Sequence, residues 1–145
     1  AASVMMDHNI DSATDVSGFG LLGHLGNMLK ASSITNRKKL GAKLFYSKIP
    51  LFKGVESLLS KGLCPSGTER NLKSAAPLTT FSADISHNHQ LLLADAQTSG
   101  GILMSVPKAS LETLLTDLKK NSFVSSSVIG QVIQTDEPAQ IQVES

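Results

Sequence analysis

The chain has 145 residues, with 13 basic and 12 acidic side chains and a formal net charge of +1, too small an imbalance for a nucleic-acid-binding footprint. Its 41% apolar content suits one domain whose core is aliphatic, because Trp is absent and aromatics make up 4%. No stretch approaches the roughly 20 apolar residues that cross a bilayer, and no charged-then-apolar leader opens the chain. Cys64 is the single cysteine and excludes an internal disulfide, so the expectation is a cytoplasmic protein without a membrane or nucleic-acid partner.

Ala1–Met6 reads as the tail of a helix already under way, which suggests a piece of a longer protein. Residues 7–12 form a polar connection with His8 at the surface. Thr14, Asp15 and Ser17 are helix-capping types. Beyond them Leu21, Leu22, Leu25, Met28 and Leu29 recur at three- and four-residue spacing and predict a helix over about 18–31. A loop follows through Asn36, and the basic run Arg37, Lys38 and Lys39, with Lys43 nearby, reads as solvated. Alternation over 41–46 predicts a strand. Ile49 precedes proline and is therefore extended. Val55, Leu58 and Leu59 mark a short helix closed by Gly62.

Residues 64–71 read as a hydrogen-bonding loop, 78–81 as a short strand and 90–93 as a short helix. His87 and His89 are two apart, point to different sides of any helix and have no third ligand nearby, so they read as surface histidines. Residues 95–101 form a second polar loop running into a buried strand at 102–106. Leu111, Leu114, Leu115 and Leu118 then stripe a helix with Ser110 as its candidate N-cap. Strands at 128–133 and 141–143 flank the turn 135–138. This alternation of strands with amphipathic helices predicts a layered α/β (α+β) domain.

Four glycines in the first helix are costly, at about 1 kcal/mol each relative to Ala. Gly18 and Gly20 fall in the first turn, where a missing Cβ lets a ligand phosphate approach the free N–H groups, whereas Gly23 and Gly26 suit packing. Asp15 would repel a phosphate unless a cation stood between them. Magnesium, held by one or two carboxylates with phosphate oxygens and water, resolves that conflict; a plain helix cap is the competing reading. Gly18, Gly20 and Gly23 also match the dinucleotide pattern G-x-G-x-x-G. That pattern needs an apolar strand upstream and an acid about 20 residues on. Here Asn9–Ser17 is polar and no acid lies between Asp15 and Glu56, so a dinucleotide site is excluded.

Ala13–Leu25, A-T-D-V-S-G-F-G-L-L-G-H-L, closely resembles a signature of the selenophosphate synthetase (selenide, water dikinase) family. Pro65–Asn71 resembles the family's P-x-G-T-x-x-N loop, Ala94–Leu103 its D-P-Q-T-S-G-G-L-L segment, and Ile129–Val132 its closing I-G-x-V. The order is that of the family, and a shorter relationship extends to the aminoimidazole ribonucleotide synthetase superfamily. The resemblance implies that 1–145 is a single C-terminal domain, a three-layer α/β/α sandwich with a mixed, partly ferredoxin-like sheet. It implies an enzyme that uses ATP and Mg2+ to make selenophosphate from selenide, releasing AMP and phosphate, and that acts as a homodimer.

In that scheme Asp15 is a metal ligand joining aspartates of the enzyme's own N-terminal domain around the Mg–ATP phosphates. Gly18, Gly20, Thr98 and Ser99 are cofactor-side candidates. The reactive Cys or selenocysteine and its lysine belong to the N-terminal segment, so no catalytic residue is expected here, Cys64 is no substitute, and the fragment alone should not turn over. The chain departs from the family at Ser17 for threonine, Asn27 for an acidic residue and Ala96 for proline. A different acceptor within the superfamily, or a non-catalytic regulatory module, are the alternatives.

Overall fold

A computed structural model describes residues 2–145. Its elements in chain order are α1 (Ala2–Met6), β1 (Ser12–Asp15), α2 (Gly20–Asn36), β2 (Leu40–Phe45), α3 (Val55–Ser60), α4 (Thr68–Ala75), β3 (Thr79–Phe81), α5 (His87–Ala94), β4 (Ile102–Ser105), α6 (Lys108–Lys120), β5 (Gly130–Gln134) and β6 (Ile141–Glu144). The helical reading of Ala2–Met6 agrees with the structure, and Ala1 lies outside the described residues.

Helix α2 is the centre of the packing. Its Leu22, Leu25 and Leu29 are almost fully buried against Ala42 and Leu44 of β2, Ile141 and Val143 of β6, Leu93 and Ala94 of α5, and Leu103 of β4. Each buried leucine contributes about 2 kcal/mol through apolar surface removed from water. A second, smaller cluster joins Val4, Leu114 and Leu118 with Ile10, Met104 and Val106. Adjacent residues of a strand point to opposite faces. Leu103 therefore meets the α2 cluster while Met104 meets the α1 and α6 cluster, and the antiparallel pair β1–β4 is sandwiched between helical layers.

The larger sheet has the order β3-β6-β2-β5. Strand β2 is antiparallel to β5 and parallel to β6, and β3 is parallel to β6. Placing β2 between two strands that are consecutive in sequence is the split arrangement of ferredoxin-like folds, and the attachment of β3 to β6 departs from it. Ala42, Leu44, Ile141 and Val143 face the helices. The opposite face carries Lys43, Gln131, Gln142 and Glu144, with Lys43 Nζ 2.8 Å from Glu144 Oε1. The three-layer arrangement thus holds around the two-stranded pair, and the four-stranded sheet forms an outer layer with a polar outer face.

Several local expectations differ from the structure. Residues 12–15 form β1, which takes Ser12 from the expected polar connection over 7–12 and makes Thr14 and Asp15 strand residues and not caps. The residue at the N-cap of α2 is Phe19, with no side-chain cap bond. Helix α2 continues to Asn36 because Ser33 is buried and its hydroxyl accepts the Leu40 amide at 3.0 Å, while Thr35 and Asn36 bond back one turn to the Ala31 and Ser32 carbonyls. Residues 68–75 are helix α4, not loop, and α5 starts at His87. Ser110 lies within the first turn of α6, whose N-cap position is Pro107.

Two histidines assigned to the surface are engaged. The His8 side chain is 9% exposed with Nε2 3.2 Å from Asp117 Oδ2. His89 stacks on Tyr46 with ring centroids 4.2 Å apart. Gly62 takes φ +75° just past α3, with its amide donating to Leu59 and that of Leu63 to Leu58, a Schellman closure that matches its expected role.

Candidate functional site

Three separated sequence motifs meet at the turn between β1 and α2. Asp15 ends β1 opposite Ile102, and the Val16 amide donates to Gly101 O at 2.9 Å. The Ser17 amide donates to His24 Nε2 at 3.1 Å, and Ser17 O accepts from the amides of Gly20, at 3.0 Å, and Gln97, at 3.1 Å. Gly18 O accepts from Asn71 Nδ2 at 2.8 Å. The lone pair that His24 offers to Ser17 requires the proton to sit on Nδ1.

Close backbone approach explains two glycines here. A Cβ on Gly20, where φ is +69°, would stand 2.5 Å from the carbonyl carbon and oxygen of Ala94; one on Gly100 would stand 2.1 Å from Val16 O. Packing therefore accounts for the missing side chain at Gly20. Gly18 has no atom within 4 Å of a built Cβ.

Helix α4 contributes the remaining ties. Thr68 is fully buried and donates to Asp95 Oδ1 at 2.8 Å. Gln97 Nε2 lies 3.2 Å from Asp95 O and 3.4 Å from Oδ2. One turn after Thr68, Asn71 donates to Ala94 O at 3.0 Å as well as to Gly18 O. Thr68, Asn71, Asp95 and His24 were not singled out by sequence reasoning. Their only signal was membership of matched motifs, since the partners are 27, 23 or 53 residues apart for the ties from α4 and 7 for His24.

Of the candidates taken from the sequence, Asp15, Gly18, Thr98 and Ser99 are exposed and Gly20 is buried. Ser99 has φ 55°, a left-handed conformation that turns the loop into Gly100 and onto Val16. Asp15 and the Thr98–Ser99 loop are thus brought to one region by the β1–β4 register. Among the described residues no group of three or more His, Cys, Asp and Glu is placed to hold a metal. The donor set available is one exposed carboxylate beside a turn whose Val16, Ser17 and Gly20 amides are already bonded. That set fits magnesium, whose shell is completed by phosphate oxygens, water and further carboxylates, and does not fit a closed tetrahedral zinc site.

Elsewhere Tyr46 donates to Glu56 Oε1 at 2.9 Å, and burial, followed by the bond to and charge of Glu56, raises its pKa well above the ordinary tyrosine value. Among the described residues no helix is long and apolar enough to cross a membrane.

The family of AIR synthase related proteins, C-terminal domain, matches residues 1–141, and the chain belongs to that family. Three similar relatives are each named selenide, water dikinase. That of Carboxydothermus hydrogenoformans is 34% identical over 128 residues, covering 88% of this chain and 35% of the relative. The Campylobacter jejuni protein is 35% identical over 138 residues, covering 94% of this chain and 37% of the relative. The Porphyromonas gingivalis protein is 34% identical over 143 residues, covering 98% and 39%. The chain spans a little over a third of the length of these curated relatives.

Proposed function

We propose that this domain is the C-terminal part of a selenide, water dikinase, which makes selenophosphate from selenide and ATP with release of AMP and phosphate. The observation that carries this reading is the meeting of three family motifs around one exposed carboxylate, Asp15, in a chain whose similar relatives bear that name. Asp15 would hold Mg2+ together with aspartates of the enzyme's own N-terminal domain. When bound, Mg2+ neutralises phosphate charge and orients the triphosphate for transfer. Gly18, open above its Cα, and the hydroxyls of Thr98 and Ser99 line the phosphate side, and the nucleophile comes from outside this chain.

The partners in this reading are the N-terminal domain and, through it, a second copy in a cytoplasmic homodimer; the domain alone does not turn over. The breadth of the family named above favours one other reading, an ATP-dependent synthetase acting on a different acceptor. Phosphate release with selenide, against release with an aminoimidazole precursor, separates the two.

The decisive experiment is Asp15→Asn in the full-length protein. Mg2+-dependent ATP turnover should fall at least about tenfold, equivalent to about 1.4 kcal/mol of lost transition-state stabilisation. Unchanged turnover would return Asp15 to a strand-end residue without a metal.

A further inference from the structure

We propose that Asn71 is the positioning residue that sets the Asp15 turn against the 95–101 loop, an inference that rests on the reading of that site given above. The carboxamide of Asn71 has two N–H donors, and both are spent on backbone carbonyls from different motifs: Gly18 O at 2.8 Å and Ala94 O at 3.0 Å. Because both acceptors are carbonyls, only one orientation of the amide satisfies them. Gly18 is three residues beyond Asp15; Ala94 is the last residue of α5, directly before Asp95 and the loop that carries Thr98 and Ser99. One side chain therefore bridges the two halves of the proposed phosphate side, beside the backbone bond from the Gln97 amide to Ser17 O.

Asn71 is itself held. Thr68 lies three residues earlier on α4, on the same helical face, and its buried hydroxyl is bonded to Asp95. Helix α4 thus grips the end of α5 and the start of the loop at two points, and Asn71 carries its hydrogen bond to the β1–α2 turn. The Ala94 carbonyl that Asn71 binds is also the group against which Gly20 packs. Loss of the carboxamide removes the tie from α4 to Gly18 and leaves the Gly20 contact and the backbone bonds Gln97–Ser17 and Val16–Gly101 to hold the distance. The turn then loosens against the loop, next to the strand end that carries Asp15.

The role predicts a split in kinetic behaviour. A group that places the triphosphate and its cation affects Mg–ATP and leaves selenide recognition untouched. A residue needed only for folding would weaken both or neither.

The test uses the full-length protein with Asn71→Leu, which removes the donors without adding charge, and Asn71→Asp, which keeps the shape and turns the donors into acceptors. Hydrogen exchange without nucleotide or metal is read first. Amides of residues 16–20 and 94–98 should exchange about tenfold faster in both variants, with 108–120 unchanged. The KM for Mg–ATP should rise about tenfold while the KM for selenide stays within about twofold. Unchanged exchange at 16–20 overturns the inference, as does equal loss of protection in α6, which marks general destabilisation. So does faster exchange with an unaltered KM for Mg–ATP. If the wild-type protein forms no AMP from ATP and selenide, the proposed function fails, and the exchange result alone then decides whether Asn71 couples the two segments.

Discussion

Replacing Gly20 and Gly18 separately by alanine distinguishes glycines that the backbone demands from those it does not. At Gly20 the left-handed φ of +69° costs an alanine about 1–2 kcal/mol. The new methyl would also meet the Ala94 carbonyl group at 2.5 Å, and relieving such overpacking costs a further 1–3 kcal/mol or so. The combined loss is about 2–5 kcal/mol, and for a domain of this length that lowers the thermal midpoint by about 10 °C. At Gly18 nothing stands within 4 Å, and Gly18→Ala should change stability by less than about 0.5 kcal/mol. Far-UV circular dichroism during urea and thermal unfolding suits a protein without tryptophan. Equal, small effects at both positions would refute the claim that α2 and the end of α5 are in rigid backbone contact at Gly20.

Thr68→Val keeps the shape of a fully buried side chain but strands Asp95 Oδ1, and chemical denaturation should show a loss of about 1–3 kcal/mol; a change below 0.5 or so would dismiss the bond as incidental. Arg37 closes α2 at φ 53°, with the Lys38 amide bonded to Ser33 O, so Arg37→Gly should stabilise the protein by about 1 kcal/mol, and any destabilisation counts against the left-handed closure. The raised pKa of Tyr46 means that folding favours its protonated form. That contribution is complete below about pH 10 and is lost as pH rises through the folded value, so the thermal midpoint of the wild type should fall more steeply than that of Tyr46→Phe above about pH 10. Parallel slopes would show that Tyr46 is solvated.

Where apolar spacing was strong, the elements were legible: the leucines of α2 and α6 and the alternation in β2 all mark faces that are buried. Strand β1 was hidden because Ser12, Ala13, Thr14 and Asp15 contribute almost no apolar surface; its place comes from pairing with β4 and from the packing of Leu103 and Met104 on either side. Helix α4 was hidden for a similar reason, since Leu72 and Ala75 are its only clearly apolar side chains and its anchors are the hydroxyl of Thr68 and the amide of Asn71. The site was readable as three motifs in order. Their mutual geometry was not, because hydrogen bonds spanning 23 to 53 residues leave no periodic trace. The packing demand at Gly20 left no trace for the same reason, as the carbonyl that excludes its side chain arrives from 74 positions further on, at Ala94.

Strand β6, residues 141–144, lies inside its sheet between β3 and β2 although it follows every other described strand in sequence. While the chain is being synthesised, β2 can pair with β5 as soon as residue 134 has emerged, but β3 has no neighbour and the leucines of α2 have no Ile141 or Val143 to cover them. Closure of the main core therefore waits for residues 141–144. A nascent chain stalled within the 135–140 turn would hold a split sheet with two exposed inner edges, the stage at which this domain is most open to chaperones and to aggregation.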